Sequence, residues 1–135
     1  MHKIGFYRDG NGELNIQGIK ITSLAEKYGT PFFIYDAGLM KERYNTFFDT
    51  IKEVQGNIHY AVKANDALSV ISYFAKLGCG ADIVSIGEFE KCIAAGMSPQ
   101  KIIFSGVGKD NHEIEFALKN NILQFNIESE EELND

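Results

Sequence analysis

The chain has 135 residues, 44% of them hydrophobic, and its 19 acidic and 13 basic side chains give a formal net charge of -6 at pH 7. This length is usual for one domain, and the hydrophobic content is sufficient for a packed core. The acidic balance and the scattered lysines argue against the basic face of a nucleic-acid-binding protein and against the polybasic stripe that binds membranes.

The cysteines and histidines do not form a pattern typical of a metal or redox site. Cys79 and Cys92 make no CxxC pair, and the histidines lie far from them in sequence. We expect His59 to be hydrogen-bonded by a neighbour and His112 to be solvated. No apolar run reaches the ~18 residues of a membrane span, and the N-terminal sequence lacks the apolar stretch of a signal peptide. The sequence therefore predicts a cytoplasmic protein without a metal.

The N-terminal part is predicted to contain short strands and two helices. Asp9-Gly10-Asn11-Gly12 is a hairpin signal between apolar runs at 4–7 and 14–16. Ser23 and Glu26 have capping-box spacing at the start of a helix that Gly29 would end. A strand is predicted at 32–35, and Asp36 would cap the amphipathic helix that follows it.

The pattern becomes regular from residue 57 onwards. Strands are predicted at 57–62, 82–84, 101–104 and 123–127, and helices near 67–77, 87–95 and 111–120. Ser85 and Ser129 each open a capping box directly after a strand. This repeat of strand, loop and capped helix is typical of βαβ units, so we predict an α/β fold with a parallel sheet. Right-handed crossovers would bring the carboxyl ends of all four strands to one rim.

Polar side chains follow each of these predicted strands. They are Lys63, Asp82 with Ser85, Ser105 with Gly106, and Asn126 with Glu128. In a (β/α) barrel the carboxyl ends of the strands face the active site, so these residues are candidates for chemistry. A lysine there can lose its proton and attack a carbonyl group. The structural alternative is a lysine that extends into solvent from a strand end.

The glycines do not match a phosphate-loop fingerprint. Gly108-Lys109 lacks the earlier glycine of a Walker A loop, and Asp110 stands where that loop has Ser or Thr. Gly78 and Gly80 precede a strand, whereas the glycines of a dinucleotide-binding loop follow one. The sequence therefore favours neither a binding site for a nucleoside triphosphate nor one for a dinucleotide.

Four segments in chain order carry the most specific signals. They are Tyr60-Ala61-Val62-Lys63-Ala64-Asn65 and the segments at 77–88, 101–109 and 125–133. Together they resemble the lysine motif and the next three strand motifs of the fold-type III (group IV) decarboxylases, which use pyridoxal 5'-phosphate. The resemblance covers roughly residues 23–135. The sequence of residues 81–88 most resembles that of the family members that act on diaminopimelate. It differs from the sequence of the ornithine and arginine decarboxylases.

The resemblance implies a fold and two site residues. The fold is the N-terminal part of a (β/α)8 TIM barrel of the alanine-racemase-like type. Residues 1–35 would be a β/α segment leading into the barrel and associated with a second β domain, and residues 36–135 its truncated first half. Lys63 would be linked covalently to pyridoxal 5'-phosphate, and Asp82 would lie beside the cofactor. Ser85 and Glu88 are explained first as capping residues.

The implied reaction is decarboxylation of meso-diaminopimelate to L-lysine and CO2 by a homodimer with shared active sites. We expect the 135-residue chain alone to be inactive, because the resemblance places most other site residues further along. Two alternatives remain open: another decarboxylase or an amino-acid racemase of the same family, and a non-catalytic half-barrel that binds the cofactor. Fold alone does not decide among them.

Overall fold

Residues 5–134 are described by a computed structural model, in which the chain divides into two units after Lys52. The first unit holds a three-stranded antiparallel sheet and two helices: β1 (Phe6–Arg8), β2 (Leu14–Ile16), β3 (Ile19–Lys20), α1 (Ile21–Tyr28) and α2 (Ala37–Ile51). No helix among the described residues is long and apolar enough to cross a membrane.

The predicted hairpin is present between β1 and β2. The two strands pair in antiparallel register, with Tyr7 opposite Asn15. Asp9 Oδ1 accepts hydrogen bonds from the backbone N–H groups of Asn11 (2.9 Å) and Glu13 (3.0 Å), so the aspartate closes the turn with its own side chain. Residue 4 of the predicted first strand lies outside the described residues.

Two expectations for the first unit are wrong. The segment 32–35 forms no strand, because it pairs with no other strand in the described part of the chain. Helix α1 begins at Ile21, with Lys20 at its N-cap and no side-chain cap, so Ser23 is already helical and its capping box does not form. Gly29 ends this helix as predicted, at a φ of 79° that favours glycine.

The second unit is built on a four-stranded parallel sheet in the order β4-β5-β6-β7. Its elements alternate along the chain: β4 (His59–Ala61), α3 (Leu68–Lys76), β5 (Gly80–Ile83), α4 (Ile86–Ala94), β6 (Ile102–Phe104), α5 (Asn111–Lys119), β7 (Gln124–Phe125) and α6 (Glu130–Asn134). The predicted parallel α/β arrangement is confirmed, with each strand and helix in its expected place.

One face of this sheet packs against the helices. Alternate side chains of β5 and β6 are buried in the hydrophobic core, which also includes side chains from α3, α4 and α5: Ile71, Ala81, Ile83, Phe89, Cys92, Ile102, Phe104 and Ala117. Because side chains alternate along a strand, the residues between them point to the opposite face. Ladder pairing aligns Ala61, Asp82, Ile103 and Gln124 across that second face.

The expectation that a neighbour hydrogen-bonds His59 is wrong among the described residues. His59 Nδ1 is buried without a hydrogen-bond partner there. The ring packs against Gly80, whose N–H group is already donated to the carbonyl oxygen of Ile58 (2.9 Å). His59 begins β4 and so lies at the opposite end of the strand from the predicted rim. His112 is exposed, as predicted.

Candidate active site at the carboxyl ends of the parallel strands

Lys63 stands in a tight turn directly after β4. The chain leaves the strand at Ala61 and forms one 3-10 turn, Val62–Ala64. Val62 is fully buried and anchors the turn in the core, whereas Lys63 is exposed. Among residues 5–134, the Lys63 side chain takes part in no ion pair. Its amine is therefore presented outward without a carboxylate to neutralise it.

The turn that carries Lys63 is braced from both sides. The Tyr60 hydroxyl donates a hydrogen bond to the carbonyl oxygen of Asn65 (3.0 Å), and the Asn65 N–H donates to the carbonyl oxygen of Val62 (3.0 Å). The Tyr60 ring stacks on Phe74 of α3, with ring centroids 4.5 Å apart. These contacts fix the backbone on which the lysine stands.

Asp82 lies on the sheet face opposite the helices and is linked to the next two strand ends. Its Oδ1 accepts a hydrogen bond from Ser105 Oγ (2.5 Å), and Ser105 Oγ accepts one from Asn126 Nδ2 (2.9 Å). Gln124 Nε2 in turn donates to Asn126 Oδ1 (2.7 Å). We call Asp82, Ser105, Asn126 and Gln124 the rim network, since they connect the carboxyl ends of β5, β6 and β7. The sequence placed the first three at this rim, and the structure joins them.

Lys109 is a functional candidate that the sequence analysis missed. Its Nζ donates hydrogen bonds to the carbonyl oxygens of Gly106 (2.5 Å) and Asn126 (2.9 Å) and forms an ion pair with Glu132 Oε1 (2.7 Å). The two side chains are only 1% and 10% exposed. The hydrogen bond from Lys109, followed by one from the Glu128 N–H, holds the pKa of Glu132 below its usual value. Lys109 therefore ties the loop after β6 to the end of β7 and to α6.

The capping residues behave as predicted. Ser85 Oγ accepts a hydrogen bond from the Glu88 N–H (3.2 Å), and Glu88 Oε2 accepts one from the Val84 N–H (2.8 Å). Ser129 and Glu132 repeat this arrangement at the start of α6. Both caps order the chain immediately after a strand end, so the loops on the rim are short and well defined.

The cysteines are not nucleophiles of this site. Burial raises the pKa of the Cys79 thiol to about 11 and that of the Cys92 thiol to about 11. Since the thiolate is the reactive form, neither side chain is activated at neutral pH. Within residues 5–134 no group of three or more histidine, cysteine, aspartate or glutamate side chains could hold a metal ion. The rim thus offers an amine, Lys63, and a hydrogen-bonded carboxylate, Asp82.

A known protein family matches most of this chain. A family model described as pyridoxal-dependent decarboxylase, pyridoxal binding domain, matches residues 37–135. The chain belongs to this family. Among curated relatives of this pyridoxal-binding domain, the diaminopimelate decarboxylase of Helicobacter pylori is 49% identical over 110 residues, which cover 82% of this chain. That of Pseudomonas fluorescens is 43% identical over 122 residues, covering 90% of the chain.

A solved structure agrees with the family assignment. The diaminopimelate decarboxylase of M. jannaschii, crystallised in complex with L-lysine, superposes on 96% of this chain with a TM-score of 0.90 and 34% sequence identity. The match spans 31% of that chain, and the two curated relatives are matched over 27% and 29% of their lengths. The chain thus spans about 30% of the length of the relatives it matches.

Proposed function

We propose that this chain contributes the cofactor-anchoring part of a pyridoxal-5'-phosphate-dependent decarboxylase that converts meso-diaminopimelate to L-lysine and CO2. The observation that carries the proposal is the position of Lys63, at the carboxyl end of a parallel strand in the pyridoxal-binding domain. Its amine is exposed and has no ion-pair partner among residues 5–134. The substrate is supported by relatives at 43% and 49% identity that are named diaminopimelate decarboxylase. The relative solved with L-lysine supports the product.

Lys63 suits the anchoring role better than the other lysines of the second unit whose contacts are described. Lys109 is buried and occupied by three acceptors, and Lys91 is paired with Asp66. Lys101 donates to the carbonyl oxygen of Gly78, at the amino ends of the strands. A covalent anchor attacks an aldehyde carbon with its nitrogen lone pair, and a carboxylate partner would stabilise the protonated form that lacks this lone pair. An amine without an ion-pair partner therefore suits the anchoring role better.

The residues at the rim would have different roles in holding the cofactor. Lys63 would hold the cofactor covalently, and Asp82 would lie at the same strand ends as a hydrogen-bond acceptor. When bound, pyridoxal phosphate supplies an electron sink for the pair of electrons left behind as the substrate carboxylate departs. Val62 and Tyr60 keep the Lys63 turn fixed, which limits the volume that the amine samples before it meets a carbonyl group.

The proposal includes the larger architecture that the resemblance implies. Residues 36–135 would form the first half of a (β/α)8 barrel, and residues 1–35 would lead into it beside a second β domain. The family match, which begins at residue 37, and the four-stranded parallel sheet support this division. We propose a cytoplasmic homodimer with shared active sites, which light scattering of the full-length enzyme and activity of mixed mutant dimers would test.

Reductive trapping tests the anchor. The full-length protein containing this chain is incubated with pyridoxal phosphate, reduced with borohydride, digested and mapped by mass spectrometry. We expect the label on Lys63, because its amine lies exposed at the rim and has no ion-pair partner in the part of the chain that the structure describes. Lys63→Ala should abolish both the label and CO2 release, whereas the matched control Lys76→Ala, an exposed lysine at the end of α3, should change neither.

The outcomes separate the parts of the proposal. A label spread over many lysines, or one that persists in Lys63→Ala, would overturn the anchor. A label on Lys63 with CO2 released from ornithine or arginine, and none from diaminopimelate, would keep the decarboxylase and overturn the substrate. Racemisation of an amino acid without CO2 release would overturn the reaction class.

A further inference from the structure

The hydrogen bonds of the rim network all run in one direction. Asn126 Nδ2 carries only donor protons, so Ser105 Oγ must be the acceptor of that bond. The single hydroxyl proton of Ser105 is then free to be donated to Asp82 Oδ1. Gln124 Nε2 donates to Asn126 Oδ1 and so fixes which end of the Asn126 amide faces Ser105. Every donor in the rim network points towards the Asp82 carboxylate. In such a series each hydrogen bond strengthens the next.

The two donors closest to Asp82 stand on fixed backbone. The Ser105 N–H donates to the carbonyl oxygen of Ile83 (2.8 Å), and the Asn126 N–H donates to the carbonyl oxygen of Phe104 (2.9 Å). The Asn126 carbonyl oxygen accepts from the buried Lys109 ammonium (2.9 Å). These hydrogen bonds hold the backbone at Ser105 and Asn126, from which the two side chains reach towards Asp82.

We propose that Ser105 and Asn126 are positioning residues that hold the Asp82 carboxylate in one orientation at the cofactor end of the rim. The proposal rests on the proposed function, since it concerns the setting of a carboxylate beside the anchored cofactor. With Oδ1 held by Ser105, Oδ2 is the oxygen left for a second donor, because Asp82 makes no other side-chain hydrogen bond in the described part of the chain. Ser105 therefore decides which oxygen serves the cofactor and prevents the carboxylate from rotating.

A double-mutant cycle on the full-length enzyme loaded with pyridoxal phosphate tests this role. The variants are Ser105→Ala, Asp82→Asn and the double variant, with Ser105→Thr as the conservative change that retains the hydroxyl. We expect Ser105→Ala to lower kcat about tenfold while KM stays within about twofold, in line with loss of one hydrogen bond to a charged group. In the Asp82→Asn background the same change should cost less than about twofold, because Ser105 acts through Asp82.

A spectroscopic measurement gives a readout other than activity. The pH at which the visible absorbance of the bound cofactor changes should shift in the same direction in Ser105→Ala and in Asp82→Asn. Ser105→Thr should restore the wild-type midpoint. Asn126→Ala should produce a smaller shift of the same sign, since it removes the group that orients the serine hydroxyl. The matched control Ser98→Ala removes an exposed hydroxyl that makes no capping hydrogen bond and should leave kcat and absorbance unchanged.

The results that would overturn the proposal are distinct from those that would overturn the function. A tenfold loss from Ser105→Ala that is equally large in Asp82→Asn, or an unshifted absorbance midpoint in both Ser105→Ala and Asn126→Ala, would remove Ser105 from the positioning role. Lys63 would still carry the borohydride label in that case. If Ser105→Ala does not fold, Asn126→Ala decides the question through the same cycle. Failure of the Lys63 label instead overturns the function.

Discussion

The Glu132 carboxylate shows how one buried contact makes stability depend on pH. Lys109 Nζ and the Glu128 N–H both donate to it, which holds the pKa of Glu132 below its ordinary value of 4.5. A carboxylate whose pKa is lower in the folded state stabilises that state above the unfolded pKa. This stabilisation is lost as the pH falls through the folded value.

We therefore expect Glu132→Gln to be less stable than wild type at neutral pH, and the two proteins to converge as the pH falls below about 4.5. Urea unfolding at neutral pH and at about pH 3.5 measures the difference. Glu115→Gln is the matched control, because Glu115 and Lys119 form an exposed i,i+4 pair that solvent screens. A difference between wild type and Glu132→Gln that stays constant with pH would contradict the assignment.

The close approach of β5 to its neighbours depends on the missing side chain of Gly80. A Cβ atom at Gly80 would overlap both the His59 ring on β4 and the carbonyl oxygen of Lys101 before β6. We expect Gly80→Ala to lower the free energy of unfolding by about 1–3 kcal/mol, the usual cost of overpacking. Adding His59→Ala should recover only part of this loss, since the Lys101 carbonyl belongs to the backbone and cannot turn aside.

Urea unfolding of the single and double variants measures these effects. Gly87→Ala is the control, because Gly87 lies in α4 with only Ser85 Oγ near the added atom, at 3.8 Å. That variant should be neutral or slightly more stable, since alanine is the better helix former. Full recovery of stability by His59→Ala would show that the side chain alone sets the spacing of the strands.

The elements that the sequence predicted correctly are those defined by local signals. Asp36 caps α2, its Oδ1 accepting from the Leu39 N–H (3.1 Å), and Ser85 caps α4. Both need only a side-chain oxygen and a backbone N–H three residues away. The segment 32–35 has an apolar strand composition, but a strand also needs a partner, which its own residues do not specify. Ser23 failed as a cap because β3 leads directly into α1 two residues earlier.

The candidate site was predictable in position and unpredictable in its bonds. Parallel strands bring Asp82, Ser105 and Asn126 to one rim, so the sequence pattern was enough to place them together. Which hydrogen bond forms depends on strand register, since Asp82 pairs with Ile103 and Ser105 follows two residues later. The burial of Lys109 was missed because its acceptors come from the loop after β6, the end of β7 and α6, and no spacing connects the three.

The parallel sheet of this chain has two edges without a strand beside them among the described residues, at β4 and at β7. Such edges expose unpaired backbone groups, and the exposed Leu123 and Ile127 flank β7. The rim next to them offers the amine of Lys63 and the Asp82 carboxylate. Lys109, the other lysine on this rim, is already saturated by its own partners. Lys109 therefore has no donor left for the phosphate group of a cofactor.

We therefore expect the isolated 135-residue chain to release no CO2 from meso-diaminopimelate above the background of its Lys63→Ala variant, and to associate through the open edges. The expectation agrees with a match that spans about 30% of the length of the relatives. A radiolabelled-carboxylate assay with excess pyridoxal phosphate measures turnover, and light scattering measures association. The full-length enzyme under the same conditions is the positive control. Turnover by the isolated chain that Lys63→Ala abolishes would show that these 135 residues are sufficient for the chemistry.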